Sequence, residues 1–156
     1  MSFDIRMATE EDLPLLAQMN KHLFEDAGSH NPMSVDALRD RMATWLAADE
    51  WKIIVLAQEE TIFGYMVYQV RPDSYEPEIA FVYVRQYFIE RNWRRKGLGR
   101  AAFDALARAY FPARSKVVID ALASDPNATA FWAALGFQPY SVTMMLQRTV
   151  ESPEDQ

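Results

Sequence analysis

One ten-residue stretch near the middle of the chain constrains the fold more than any other. Residues 91–100 read Arg-Asn-Trp-Arg-Arg-Lys-Gly-Leu-Gly-Arg and hold five of the 16 lysines and arginines. An apolar run at 81–89 precedes this stretch, and an alanine-rich helical pattern at 98–110 follows it. The first run is apolar on both faces, as in a central strand, and another short apolar run lies at 117–121. The pattern therefore predicts a strand–helix–strand crossover with a basic, glycine-containing loop at the start of its helix.

This loop is suited to bind an anion. Glycines let successive backbone N–H groups converge on phosphate oxygens, and the helix dipole and the basic side chains add positive potential. The glycine spacing differs from that of nucleoside-triphosphate and dinucleotide loops, and no Ser or Thr follows to hold magnesium. A pyrophosphate would fit such a loop. The alternative is a solvated helix start in which the glycines ease packing.

Periodicity predicts the remaining elements. Two helices follow an N-terminal strand, the first capped by Thr9 and ending before Gly28, the second capped by Ser34. The other predicted elements are strands at 3–7, 53–58 and 62–70, a helix at 126–135 that ends at Gly136, and a last strand at 141–147. This order predicts an α/β fold in which a central mixed sheet is flanked by about four helices.

Composition excludes several classes of protein. The 156 residues are 50% apolar, which predicts a single domain over 1–150, with a disordered acidic tail at 151–156. The absence of cysteine excludes disulfides, thiolate catalysis and iron–sulfur clusters, and only two histidines remain for a metal. A net charge of −6 disfavours nucleic acid as a partner. The chain opens in a strand-like run and has no apolar targeting or membrane segment, so we expect a cytoplasmic protein with no membrane partner.

The basic loop resembles the phosphate loop of the GNAT superfamily, the acyl-CoA-dependent N-acetyltransferases. That signature is Arg or Gln, two variable residues, Gly, one variable residue, then Gly or Ala, and residues 94–99 match every fixed position. Phe131-Trp132 and Gly136-Phe137 resemble the aromatic pair and the Gly-Phe that close the family's fourth helix. The predicted element order is also similar, so the resemblance covers about residues 3–148.

The resemblance implies acetyl-CoA as co-substrate. Backbone N–H groups of residues 95–100 would bind the pyrophosphate, nearby basic side chains would meet the remaining phosphate, and Ile89 would pair with pantetheine and polarise the thioester carbonyl. The strands at 81–89 and 117–122 would diverge to admit the cofactor arm. The residues implied to contact coenzyme A are Ile89, Arg94, Arg95, Lys96, Gly97, Leu98, Gly99, Arg100, Asn127 and Trp132.

Two positions depart from the family pattern. Trp132 stands where relatives often carry a tyrosine that protonates the departing thiolate, and an indole N–H cannot serve as that acid. Either the thiolate leaves unassisted, or another phenol such as Tyr140 is the acid, unless Tyr140 has only a packing role. Asp125 stands where the family usually places an asparagine for the pantetheine amide, and Asn127 follows two residues later; both are also good helix caps.

The sequence leaves the general base open. An acceptor ammonium must lose a proton before it attacks, and Tyr83 aligns with a glutamate of some relatives, while Glu78 and Glu90 are nearby acids. Each is equally well interpreted as a half-exposed strand residue. Tyr83, Arg85 and Tyr87 are predicted to share one strand face, and Arg85 there needs an acidic partner or a substrate carboxylate.

The resemblance implies an acceptor site at the loop between the first two helices, residues 24–33, where acids could receive an amine. A metal site could be proposed from His22, Glu25, Asp26 and His30, but nothing in the sequence fixes their geometry, so we interpret them as solvated surface residues and expect no metal. The sequence thus predicts direct transfer of acetyl from acetyl-CoA to a primary amine in a ternary complex, with a small cationic molecule or a peptide as acceptor. The rivals are a CoA-binding regulatory or sensor domain with weak chemistry and an interaction domain with a vestigial pocket. The last strand would either join a partner's sheet in a homodimer or end the fold.

Overall fold

Five strands and four helices follow the predicted order. The computed structural model describes residues 2–151, so residues 152–156 of the predicted tail lie outside the described part. The strands are β1 (Asp4–Met7), β2 (Lys52–Gln58), β3 (Thr61–Pro72), β4 (Ala80–Ile89) and β5 (Ser115–Ile119). The helices are α1 (Leu13–Ala27), α2 (Val35–Ala48), α3 (Leu98–Tyr110) and α4 (Pro126–Ala134). The predicted α/β fold with a mixed sheet and about four helices is confirmed.

The strands form one sheet in the order β1-β2-β3-β4-β5. The first four strands are antiparallel to their neighbours, and β5 runs parallel to β4. Helix α3 is the crossover between β4 and β5, as the sequence predicts. Strand β5 is therefore an edge of the sheet in the described part of the chain.

Helices cover both faces of the sheet. Alternation along β2 sends Ile53 and Val55 to one face, where they pack with α1 and α2. Ile54 and Leu56 point to the other face, where they pack with α3 and, through half-buried side chains, with α4. Two apolar layers thus hold the sheet between two helix pairs.

Local caps set the helix ends. Residues 10–12 form a 3-10 turn ahead of α1, and the Asp12 carboxylate accepts a hydrogen bond from the Thr9 N–H at 2.8 Å. The Ser34 hydroxyl accepts a bond from a first-turn amide of α2 at 3.1 Å, as predicted. Gly136 has a φ of +101° after α4, which only glycine adopts without strain.

A bulge in β4 overturns one prediction. The β3 partners of Val84 and Gln86 are adjacent residues, so Arg85 is an extra residue in the strand. As a result Arg85 and Gln86 both face α1 and α2, whereas Tyr87 faces α3. The prediction that Tyr83, Arg85 and Tyr87 share one face is therefore wrong for Tyr87, because the bulge breaks the period of two.

The predicted last strand at 141–147 is also wrong for the described chain. Residues 137–151 belong to no helix or strand, and the side chains of Val142 and Met145 are 84% and 91% exposed. A strand needs a neighbour to bond its backbone, and in residues 2–151 this segment has none. The spacing of apolar residues in 141–147 is typical of a strand, but a strand forms only where a neighbouring strand bonds its backbone.

No helix within residues 2–151 combines the length and the apolar character needed to cross a membrane.

Candidate functional site

The site begins where β4 and β5 part. The two strands are paired from Ala80 with Ser115 to Val84 with Ile119, and β4 then continues alone to Ile89. The β4 bulge lies directly beyond the last pair and turns the strand away from β5. The backbone of the last five residues of β4 is thus left without a strand on the β5 side. The predicted divergence of these two strands is confirmed.

Two adjoining cavities fill this opening. The larger, of about 610 Å³, lies over the end of β4 and the start of α3. The smaller, of about 310 Å³, lies over the end of β5 and the α1–α2 loop. Both cavities are lined by Leu23, Ala27, Tyr87, Asp125, Ala128 and Trp132. A long ligand can therefore run from one cavity into the other.

The start of α3 forms a cradle of amides in the larger cavity. Arg94 is extended, and Arg95 and Gly97, which follow before the helix, are left-handed with φ angles of +62° and +76°. The first amide that bonds within α3 is that of Ala101, to the Gly97 carbonyl at 3.1 Å. The amides before it, including those of Leu98 and Gly99, therefore have no helical partner and suit phosphate oxygens.

Close packing behind the cradle explains its second glycine. A Cβ on Gly99 would lie 3.1 Å from the Phe131 ring of α4 and 3.8 Å from Ile89. The Tyr87 hydroxyl donates a 2.6 Å hydrogen bond to the Gly99 carbonyl, and burial raises the pKa of this phenol. The Tyr87 hydroxyl therefore links the start of α3 to β4, and its proton is already used in this hydrogen bond.

Asp26 at the end of α1 holds two of the basic side chains. Arg91 and Arg94 both donate hydrogen bonds to its carboxylate, the second at 2.6 Å. Partial burial acts to raise the pKa of Asp26, but the bonds from Arg91 and Arg94 outweigh it and lower that pKa. Arg94 Nε also donates to the Ile89 carbonyl at 2.7 Å. Arg94, the first residue of the motif, thus joins the loop, α1 and β4.

The remaining cations of the loop are exposed. Arg95 has no hydrogen-bond or ion-pair partner among residues 2–151, Lys96 lies 5.8 Å from the Trp93 ring, and Arg100 donates to the Ala134 carbonyl at 3.4 Å. Arg95 and Arg100 line the larger cavity. Their charges are available to a phosphate.

Helix α4 forms the opposite wall. The Trp132 indole packs against Tyr87 and Phe103 and lines both cavities. Asn127 lines the larger cavity, and Asp125 lines both while its carboxylate caps α4 by accepting from the Ala128 N–H at 3.1 Å. The capping interpretation of Asp125 is therefore confirmed.

An aspartate that the sequence reasoning missed lies in the smaller cavity. Asp120 follows β5 directly, and its carboxylate accepts a 2.6 Å hydrogen bond from the Tyr83 hydroxyl. Burial, and then the bond to Asp120, raise the pKa of Tyr83 to about 12, so this phenol is a poor base. The position of Asp120 at the carboxyl end of a parallel strand was the signal that could have found it.

Two of the proposed catalytic residues lie away from the cavities. Glu78 is exposed in the loop before β4, at the opposite end of that strand from the opening. The side chain of Tyr140 is 89% exposed and lines neither cavity. Glu90 lies 3.9 Å from His22, also outside the cavity linings. Tyr83 lines neither cavity itself, but its hydrogen bond to Asp120 connects it to the smaller one. Glu78 and Tyr140 have no such contact with the cavity lining.

Two arginines face each other in the smaller cavity. Arg41 stacks 4.7 Å above the Trp45 ring, and Arg85 lies 4.9 Å from the same ring and 5.1 Å from Trp51. Burial first, and then the charge of Arg85, lower the pKa of Arg41. Within residues 2–151 neither arginine has a carboxylate within ion-pair distance, and the buried Nε of Arg41 has no hydrogen-bond partner. The acidic partner considered for Arg85 is therefore absent from the described chain.

The histidines and acids of α1 and the α1–α2 loop do not gather into a metal site. In the part of the chain that the structure describes, no group of three or more His, Asp or Glu side chains is placed to hold a metal ion. Asp26 instead pairs with arginines.

Comparison with known proteins agrees with this geometry. A family model described as the acetyltransferase (GNAT) family matches residues 16–137. The fold is similar to a possible acetyltransferase from Clostridium difficile 630, with a TM-score of 0.76 and 16% identity over 97% of this chain and 100% of that one. No curated protein sequence matches the chain.

Two further solved structures are similar in fold. One is the aminoglycoside N-acetyltransferase AAC(6')-Iy in complex with CoA, with a TM-score of 0.74 and 17% identity over 96% of each chain. The other is a ribosomal-protein-alanine N-acetyltransferase from Brucella melitensis, with a TM-score of 0.75 and 14% identity over 94% of this chain and 100% of that one. At these identities the likeness concerns the fold.

Proposed function

Because the chain belongs to the GNAT family of acetyltransferases, we propose that it transfers acetyl from acetyl-CoA to a primary amine by direct attack in a ternary complex. The observation that carries this proposal is the opening between β4 and β5, with a cradle of unbonded amides at one end. The pyrophosphate would lie on the amides of residues 95–100, and Arg95 and Arg100 would meet the remaining phosphate. The part of β4 that has no β5 neighbour would pair with pantetheine, including the N–H of Ile89, whose carbonyl already accepts from Arg94.

The thioester would lie where the two cavities meet. Tyr87 lines both cavities, and its backbone lies in the part of β4 that has no β5 neighbour. A backbone N–H there can donate to the thioester oxygen as negative charge develops on it. We therefore place the polarising amide at Tyr87, two residues before Ile89.

Asp120 is our candidate for the general base. The acceptor ammonium would give a proton to its carboxylate, and the freed amine would attack the thioester carbon. The C–S bond would then break to release the CoA thiolate, which takes up the remaining proton from the nitrogen of the new amide. The Tyr83 hydroxyl would orient the carboxylate through its hydrogen bond. The phenol of Tyr87 is bonded to Gly99, so no tyrosine of the cavity lining is free to protonate the thiolate.

The charges of the smaller cavity favour an acceptor that carries an anion as well as an amine. Arg41 and Arg85 lack an acidic partner there, while Asp120 and Asp125 can face an ammonium. An amino acid or a peptide offers both groups, whereas a polyamine would place positive charge beside the two arginines. The local field thus differs from the net charge of −6, which taken alone favours a cationic molecule.

Calorimetry tests the cofactor. Acetyl-CoA and CoA should bind, and ATP and NAD should not. Arg95→Gln should weaken acetyl-CoA binding by about tenfold, because one charged contact to phosphate is lost. Arg39→Gln, an exposed arginine on α2, is the matched control. Absence of acetyl-CoA binding to the native chain would refute the proposal.

Steady-state kinetics test the base. Asp120→Asn should lower kcat by about 10² or more with the KM for acetyl-CoA unchanged. Tyr83→Phe removes only the orienting hydroxyl and should lower kcat less. Tight acetyl-CoA binding without turnover on any amine would favour the regulatory CoA-binding domain instead.

Matched amine pairs test the acceptor class. L-lysine against cadaverine, L-ornithine against putrescine and L-tyrosine against tyramine differ by one carboxylate each. We expect the carboxylated member to have the higher kcat/KM, and Arg85→Gln to remove that preference while acetyl-CoA binding is retained. Arg71→Gln is the control, since Arg71 stacks on Phe81 outside the cavities. A preference for the decarboxylated amines would refute the anionic acceptor while leaving the acetyl transfer intact.

A further inference from the structure

The smaller cavity has cationic and acidic groups that come from different elements. Arg41 of α2 and Arg85 and Gln86 of β4 bring hydrogen-bond donors to its lining. Asp120, which follows β5, and Asp125 at the start of α4 bring carboxylates. The cavity thus holds both signs of charge, and the way these charges are held indicates which ligand they fit.

Arg85 and Asp120 occupy neighbouring positions without pairing. Each directly follows the last residue pair of β4 and β5, Val84 with Ile119. In the described chain, however, no carboxylate lies within ion-pair distance of Arg85, and the Asp120 carboxylate accepts its hydrogen bond from Tyr83. The α-ammonium and α-carboxylate of an amino acid are joined through one carbon atom, so they suit two opposite charges at neighbouring positions.

Gln86 adds a fixed neutral donor next to Arg85. Its side chain is only 7% exposed, and the buried Tyr65 hydroxyl donates a 2.9 Å hydrogen bond to its Oε1. This bond occupies the carbonyl end of the amide and leaves Nε2 as the free end, which forms no other hydrogen bond within residues 2–151. A carboxylate at Arg85 would therefore also find an amide donor.

Arg41 is a second cation that lacks a counter-charge. Its guanidinium is half-buried, lies 4.7 Å from the Trp45 ring and donates to the Asn20 side-chain carbonyl at 3.4 Å. Its buried Nε has no hydrogen-bond partner among residues 2–151. Withdrawing a cation from water costs free energy unless an anion or further hydrogen bonds compensate for it. A second anionic group on the ligand would provide that compensation.

We propose that the acceptor is an amino acid with an acidic side chain, whose α-carboxylate binds Arg85 and Gln86 and whose side-chain carboxylate binds Arg41. This inference rests on the acetyl transfer proposed above and adds a second negative charge to the acceptor. The α-ammonium gives one proton to Asp120, its nitrogen bonds to the acetyl carbon, and the C–S bond breaks. The products are the N-acetyl amino acid and CoA, whose thiolate takes the second proton from the nitrogen.

Two separate carboxylates fit the two arginines better than a single phosphate does. Arg41 belongs to α2 and Arg85 to β4, and each guanidinium is held at the Trp45 ring, at 4.7 Å and 4.9 Å. A guanidinium binds one carboxylate through two parallel hydrogen bonds, so two of them suit two carboxylates. Phosphoethanolamine, an amine with one dianionic group, is the alternative that the experiment includes.

Acceptor kinetics with three related compounds separate the two arginines. L-glutamate has both carboxylates, L-glutamine lacks the side-chain carboxylate, and L-isoglutamine lacks the α-carboxylate. We expect the kcat/KM of L-glutamate to exceed that of either amide by about tenfold. Arg41→Gln should remove the preference over L-glutamine and keep the preference over L-isoglutamine, and Arg85→Gln should do the reverse. Arg39→Gln, an exposed arginine on α2, is the control and should keep both preferences.

L-aspartate and its two amides form a second set with a shorter side chain, and either set can give the expected pattern. Binding of the same compounds, measured by calorimetry with CoA in place of acetyl-CoA, needs no turnover. The preferred acidic amino acid should bind, and Arg41→Gln should weaken its binding by about tenfold while leaving the binding of its side-chain amide unchanged.

Three results would overturn the inference. They are equal kcat/KM and binding for the acidic amino acids and their side-chain amides, no binding of either acidic amino acid, and a higher kcat/KM for phosphoethanolamine than for both. Each of these would leave the acetyl transfer intact, because that proposal fails only if acetyl-CoA does not bind or no amine is acetylated.

Discussion

The chain up to Leu106 and the chain after it are packed differently. In the described residues, every buried residue lies between Ala8 and Leu106, including the whole centre of β2 and β3. From there to Glu151 the chain still forms β5 and α4, but none of its residues is buried. The N-terminal region, residues 2–106, therefore contains the core, and the C-terminal region, residues 107–151, covers it only in part.

This difference reflects what each region binds. The N-terminal region buries its apolar surface within one chain. The C-terminal region provides Asp120, Asn127 and Trp132 to the cavities and leaves the edge of β5 and residues 141–150 uncovered. Surfaces that receive a ligand stay exposed until that ligand is present. Three predictions sharpen or break this comparison.

The largest expected effect is a cavity in the N-terminal region. Leu16 is 0% exposed, and Leu16→Ala should reduce the free energy of unfolding by about 2–5 kcal/mol. Leu15→Ala on the same helix and Leu122→Ala in the C-terminal region remove the same atoms from half-exposed sites and should cost about 0.5 kcal/mol. Urea unfolding measures all three. Equal losses for Leu16 and Leu122 would break the comparison.

The next effect concerns acid stability. Arg6 donates two hydrogen bonds of 2.8 Å to Asp12, and these bonds, opposed by burial, lower the pKa of Asp12. The resulting stability is present above the unfolded pKa of about 3.9 and is lost as the pH falls toward the folded value. Asp12→Asn should cost about 1–2 kcal/mol at pH 7, since Arg6 is half-exposed, and should flatten the acid side of the stability curve.

Thermal unfolding between pH 2 and pH 7 measures this curve. Asp4→Asn, an exposed residue on β1, is the control and should leave the curve unchanged. If the stability of Asp12→Asn fell with decreasing pH as steeply as that of the native chain, other carboxylates would account for the loss of stability in acid.

Two of the three left-handed glycines should separate stability from binding. Gly97→Ala and Gly136→Ala should each cost about 1 kcal/mol or slightly more, because both residues have positive φ. Gly97→Ala alone should also weaken acetyl-CoA binding, since it reshapes the amide cradle. Chemical unfolding measures the loss of stability, and calorimetry on the same samples measures acetyl-CoA binding. If Gly136→Ala weakened acetyl-CoA binding as much as Gly97→Ala does, Gly136 would belong to the cofactor site.

Much of the fold can be predicted from local sequence patterns. The crossover around residues 91–100, the helix cap at Ser34 and the stop at Gly136 each depend on residues close in the chain, and each is found where it was expected. Short-range steric and hydrogen-bonding rules suffice for such features. The predicted coenzyme A contacts stay predictions. Five of the loop residues among them line the larger cavity, namely Arg94, Arg95, Gly97, Gly99 and Arg100, whereas Lys96 and Leu98 do not.

Features that depend on distant residues were not predicted. The bulge at Arg85 moves Tyr87 to the opposite face, and the pairing of Asp26 with Arg94 joins helix α1 to the loop. Asp120 lies in the site only because β5 ends next to the point where β4 separates from it. The spacing of apolar residues within one segment does not indicate which distant segment it will contact.

The sequence by itself determined the elements, their order and the basic glycine loop, because these follow from backbone sterics and the spacing of apolar residues. Only the tertiary structure decided which charges share the smaller cavity and which strand edge remains open. It also decided that residues 141–147, strand-like in pattern, have no neighbour within the described chain. The physical reason is that a strand and a site are both completed by groups far away in the chain or in another molecule.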